Sequence, residues 1–157
     1  MIPITASTFR VFLHILAATV WVGGQLTLGV VISVLRPAPD DPDPEVARAR
    51  IRAVAQRFQI AAWSAYAVLL ATGVWNLLAL HVGDQSTEWL TTLFVKLFCV
   101  AGSGLAAAVH IFVAAPRVRA ATTPDERRHA AAFSGACEGV SVLLAVAALF
   151  LGVVLSG

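Results

Sequence analysis

What this sequence has little of is charge. Lysine, arginine, aspartate and glutamate make up 13% of its 157 residues, against about a quarter in a soluble globular domain. Such a chain cannot clothe a water-facing surface in the usual way. Its net charge is only +2, which excludes the basic footprint of a nucleic-acid-binding protein. Its two cysteines, Cys99 and Cys137, sit in apolar runs with no CxxC and no zinc spacing. No disulfide framework or zinc cluster can therefore organise the fold, and each cysteine reads first as a small core residue. Methionine is confined to Met1, which argues against a thioether-lined copper path. There is no nucleophile triad, phosphate loop or HExxH helix, so hydrolysis and nucleotide chemistry fall away.

What is there is hydrocarbon: 59% of the residues are hydrophobic and the mean hydropathy is +0.82. They gather in four long runs, about 9–35, 54–80, 92–115 and 128–155, each long enough for a helix to cross a bilayer, which takes roughly 20 residues. The expected fold is an all-α integral membrane four-helix bundle, one transmembrane domain over residues 1–157 with the lipid bilayer as its partner. Arg10 precedes the first run without a convincing cleavage site, so that helix is expected to remain as a span. Arg36–Pro44, RPAPDDPDP, must stop the first helix because its prolines cannot continue one. Glu45–Phe58, with Arg48, Arg50, Arg52 and Arg57, reads as an interfacial helical lead-in to the second span. Thr123-Pro124-Asp125-Glu126 has the composition of a helix start. Arginines crowd the first and third connectors, whereas the second, His81–Trp89, has no lysine or arginine. Positive-inside bias then gives an N-out/C-out topology, in the cytoplasmic (inner) membrane of a bacterium. Trp75 and Trp89 fit an aromatic belt at the outer ends.

Polar residues inside such spans are expensive and should face other helices or a cavity. On the third helix Cys99, Ser103 and His110 follow Lys96 at offsets of three, seven and fourteen, one helical face. On the first, His14, Ala18, Trp21 and Gln25 share a face beside Gly23-Gly24. On the second, Gln56, Gln59, Trp63 and Tyr66 do the same. The fourth carries Glu138, with Ser134 and Ser141 on its face. His14 and Lys96 lie at one depth near the outside and define an outer level. His110 and Glu138 define an inner one, as a structural or proton-handling pair. Blander readings stand beside these: Lys96 snorkelling to headgroups, His14 as a satisfied core histidine, and His81 and His129 solvated at the interfaces.

Three chemistries suit these residues. Haem b held between helices 1 and 3 would take His14 as axial ligand, with Lys96 beside it and Trp21 and Gln25 on the same face. A redox-active haem there would make the protein a membrane oxidoreductase. Copper transport or homeostasis would draw on His14, Cys99 and His110 as metal ligands. A non-catalytic partner subunit would use the polar residues only as helix–helix glue. Gly102, Gly104 and Ala106–Ala108 would permit a homo-oligomer or equally serve packing within the chain.

Phe9–Leu26, FRVFLHILAATVWVGGQL, resembles the first helix of the copper-resistance D superfamily through its H-x6-W-x-G-G pattern. The likeness continues in QRFQIAAWSAYAVLLATGVWNLL, closing on T-G-V-W-N, and in FVKLFCVAGSGLAAAVHIF, opened by a lysine. It covers essentially the whole chain and is most specific in helix 1. The resemblance implies a protein that moves copper across the inner membrane. More distantly, the chain is similar to the four-helix HemJ-type protoporphyrinogen oxidase. That similarity implies haem and functional weight on a helix 1 histidine and a helix 3 lysine, matched by His14 and Lys96.

Overall fold

A computed structural model describes residues 4–38, 40–80 and 84–156, and among them no strand occurs. Helix α1 runs from Ala6 to Leu35. Thr5 and Thr8 close a reciprocal capping box at its start, satisfying amide donors that the helix itself leaves orphaned. It ends at Arg36, whose backbone is extended, because the ring of Pro37 disfavours a helical residue before it. Helix α2 spans Pro44–Leu78, so the arginine-rich lead-in runs without a break into the second span, as its helical periodicity implied. Its start lies ten residues before the apolar run at Val54 because Pro44 suits the first helical turn. Glu45 complements the amide end there and pairs with Arg48.

Helix α3 covers Thr87–Val109, capped by the Ser86 hydroxyl on the Trp89 amide at 3.2 Å. It does not stop at Ala115. A π turn over His110–Ala114 joins it directly to α4, Ala115–Ala120. The wide turn falls immediately before Pro116, whose ring would otherwise press on the carbonyl four residues back. Helix α5, Pro124–Val154, opens with a capping box between Thr123 and Glu126.

Among the described residues, four helical stretches are long and apolar enough to cross a membrane: Ala6–Leu35, Pro44–Leu78, Thr87–Ala120 and Pro124–Val154. In no case is more than 28% of the apolar window buried within the protein. Large side chains such as Phe12, Phe98, Phe112 and Leu143 are exposed, a surface suited to acyl chains rather than water. The chain is thus an all-α, multi-pass membrane protein.

It divides into two compact units, Met1–His81 and Val82–Gly157, each a helical hairpin. In the first, α1 packs on α2 around Ala17, Trp21, Val22, Gln25, Ala62, Tyr66, Leu69 and Thr72. Gly24 permits the close approach, since a Cβ there would stand 2.5 Å from the Phe58 ring. In the second, α3, the π turn and α4 pack on α5 through smaller residues: Ser103, Gly104, Ala107 and Ala114 against Ser141, Ala145 and Ala148. Small side chains let membrane helices come together closely enough for dispersion to hold them.

Candidate functional site

In the first hairpin, His14 is fastened to the opposite helix. Its Nδ1 lies 2.9 Å from the Thr72 hydroxyl, and that hydroxyl spends its own proton on the Val68 carbonyl at 2.6 Å. Thr72 must therefore accept, and Nδ1 carries the hydrogen. Gly73 leaves space for the ring: a Cβ there would sit 3.4 Å from His14 Cε1. One turn toward the chain start, Arg10 Nε donates to Asn76 Oδ1 at 2.6 Å, and the guanidinium lies 5.9 Å from the centre of Trp75. Trp21 is buried against Tyr66 at 4.5 Å and Trp63 at 5.7 Å between ring centroids, and Gln25 is buried a turn beyond.

In the second hairpin the polar face of α3 resolves into separate features. Lys96 reaches toward Gly152, whose missing side chain makes room for it: a Cβ there would be 3.1 Å from Nζ. Cys99 is buried. Ser103 and Ser141 clasp each other with no exposed surface. Ser141 Oγ donates to the Ser103 carbonyl at 3.0 Å, and the two hydroxyls lie 3.3 Å apart. His110, first residue of the π turn, meets α5. Its Nδ1 is 3.0 Å from the Ser134 carbonyl and 3.2 Å from the Ser134 hydroxyl. A carbonyl can only accept, so Nδ1 again carries the hydrogen and Nε2 the lone pair of the neutral ring. That Nε2 is 3.9 Å from Glu138 Oε2, with the two side chains 29% and 35% exposed.

Of the residues singled out in the sequence, His110 and Glu138 come together within one unit. The serines flanking Glu138 divide their work: Ser134 holds His110, and Ser141 fastens Ser103. Cys99 and His110 cannot bind one ion, because eleven residues of helix separate them by about 16 Å along the axis. Among the described residues no group of three or more His, Cys, Asp or Glu could hold a metal. His14, Trp21 and Gln25 belong to the first unit and Lys96 to the second. His129 lines a shallow groove with Arg117 and Glu126, and His81 lies outside the described residues. Thr72, Asn76 as the partner of Arg10, and the π turn carry weight that residue patterns alone did not reveal. Pro116 was the available signal for the wide turn.

The sequence profile described as Copper resistance protein D matches residues 52–155, two thirds of the chain. The chain belongs to the copper resistance protein D family. No curated protein and no solved structure gives a match. The matched segment runs from Arg52 in α2 nearly to the end of the chain, and takes in Lys96, Cys99, His110 and Glu138. Helix α1, with His14 and the H-x6-W-x-G-G pattern, precedes it. The likeness of that pattern to the family therefore stands on its own residues. None of the comparisons bears on the HemJ-type oxidase, and the family's name points to copper rather than haem.

Proposed function

We propose that this chain is a copper transport or homeostasis protein of a bacterial cytoplasmic membrane, with copper as cargo. The family match over residues 52–155 carries this reading, and the ligand-type residues inside that segment support it. Cys99 and His110 lie on the same continuous span, about 16 Å apart by helical rise, a spacing for successive stations rather than one centre. His14, the remaining ligand-type residue, lies outside the matched segment and is tied to Thr72 in the helix packing. Soft thiolate and borderline imidazole are both donors that copper accepts. The test is metal analysis of the purified protein alongside copper accumulation in cells that express it. Copper bound after purification and altered accumulation are expected; neither being seen would overturn the reading.

Haem binding by His14 is the second reading, and the arrangement of that histidine is the observation that favours it. Metal-ligating histidines generally give their other ring hydrogen to a fixed acceptor, and Thr72 is such an acceptor for Nδ1. Trp21 and Gln25, on the same face of α1, would flank the ring. Bound haem would supply one-electron chemistry. The fit is incomplete, because Trp21 is already committed to Tyr66 and Trp63. An absorption spectrum of protein made with ample haem decides: a Soret band lost in His14→Ala supports haem, and its absence removes it.

A further inference from the structure

We propose that His110 and Glu138 bind a single Cu(II) ion between imidazole Nε2 and carboxylate Oε2, an inference that rests on the copper reading above and names a site for it.

Like groups meet at this pair. The Ser134 carbonyl fixes the hydrogen of the neutral ring on Nδ1, so Nε2 presents a lone pair to Glu138 Oε2. A carboxylate also presents only lone pairs. Two acceptors face each other across 3.9 Å, and a cation between them is what makes such an arrangement favourable. If that cation were a proton, an imidazolium–carboxylate hydrogen bond would draw the atoms to about 2.8 Å. The observed gap is wider. It leaves room for an ion bonded to both atoms at about 2.0–2.2 Å each, typical of metal–imidazole and metal–carboxylate contacts, at a wide angle.

The supports of the site point the same way. Ser134 and Glu138 lie four residues apart on α5, on one helical face. One orients the ring and the other faces its second nitrogen. An imidazole whose far N–H is held by a backbone carbonyl is the usual outer-shell arrangement of a metal ligand. His110 also opens the π turn, an element found often at functional sites. Both side chains are partly exposed on the surface of the hairpin, so the pair is open on one side rather than sealed in the core.

The donor set selects the oxidation state. An imidazole with carboxylate and water oxygens suits tetragonal Cu(II), whereas Cu(I) seeks thiolate or thioether. Cys99 is about 16 Å away along its helix. Cys137 neighbours Glu138 in sequence, but its side chain leaves α5 about 100° away around the helix. With only two protein ligands the ion is held loosely, as cargo in transit must be.

The test uses the full chain in detergent, titrated with Cu(II) sulfate in a weakly coordinating buffer, with circular dichroism and size-exclusion profiles confirming the fold of each variant. Wild type is expected to bind one ion. Glu138→Gln and His110→Gln are each expected to weaken binding at least tenfold, whereas Glu138→Asp retains part of it and Cys137→Ser and His129→Gln leave it unchanged. Copper bound equally well by Glu138→Gln would overturn the site and leave the copper reading standing. A fall in melting temperature in Glu138→Gln without change in copper binding would show a purely structural pair, and would overturn it likewise. No Cu(II) bound by wild type, with copper accumulation in cells still altered, also refutes this site alone. Loss of both would take the copper reading with it.

Discussion

In the first hairpin the intramembrane histidine is tied into helix packing: His14 donates to Thr72, which donates in turn to its own helix, and Gly73 makes space for the ring. In the second, His110 is tied at one nitrogen only, and its other nitrogen looks across 3.9 Å at a carboxylate. The neighbouring cores differ in the same sense. The first is filled by an aromatic cluster of Trp21, Trp63 and Tyr66. The second is built from serine, glycine and alanine, and its fully buried serine clasp locks the helices together. Bulky rings hold a hairpin by area. Small residues hold it by close approach, which fixes the helices firmly enough to keep two polar side chains apart at a set distance. A hairpin of the second kind is the better frame for a site.

That contrast can be broken by substitution. The largest effect on stability is expected from Ser141→Leu. It removes the hydroxyl that reaches Ser103 and forces three extra carbons into a position with no exposed surface. Overpacking of this kind costs about 1–3 kcal/mol, read as a lower melting temperature in detergent, with weaker copper binding because α3 and α5 are pushed apart. Unchanged melting would mean the serine clasp does not hold the hairpin. Thr72→Val in the first hairpin should cost less, about 0.6–1 kcal/mol, the scale of one interhelical hydrogen bond in a membrane protein, and should leave copper binding untouched. A copper defect in Thr72→Val would place function in the wrong hairpin for this account. Gly24→Ala should be nearly neutral. The Phe58 ring end, 2.5 Å from the new methyl position, can swing at a cost of about 0.5–1.5 kcal/mol, offset by a gain of about 1 kcal/mol in helix propensity. A loss well beyond that range would show the aromatic hairpin to be as tightly set as the other.

The fold was legible because a bilayer demands so much of a sequence. Long apolar runs, proline-rich breaks and capping residues placed four spanning helices without any tertiary information. Helix ends were less visible. Pro44 and Pro116 both look like stops in one dimension, yet Pro44 sits in a first turn and Pro116 is accommodated by the wide turn before it. The pairing of His110 with Glu138 was readable from depth and helical face, and so was the grouping of Ser134 and Ser141 beside Glu138. Which serine served which partner was not, since that depends on how α3 and α5 are rotated about their axes. Thr72 went unnoticed for a similar reason. A threonine in a membrane helix usually bonds back to its own carbonyls, and nothing in the sequence marks the one that also receives a histidine.

The most direct test of the central claim, that the second hairpin and not the first carries the copper site, is electron paramagnetic resonance of Cu(II) bound to the purified chain. Coupling to one imidazole nitrogen is expected to persist in His14→Gln and to disappear in His110→Gln. Coupling lost in His14→Gln and retained in His110→Gln would contradict it.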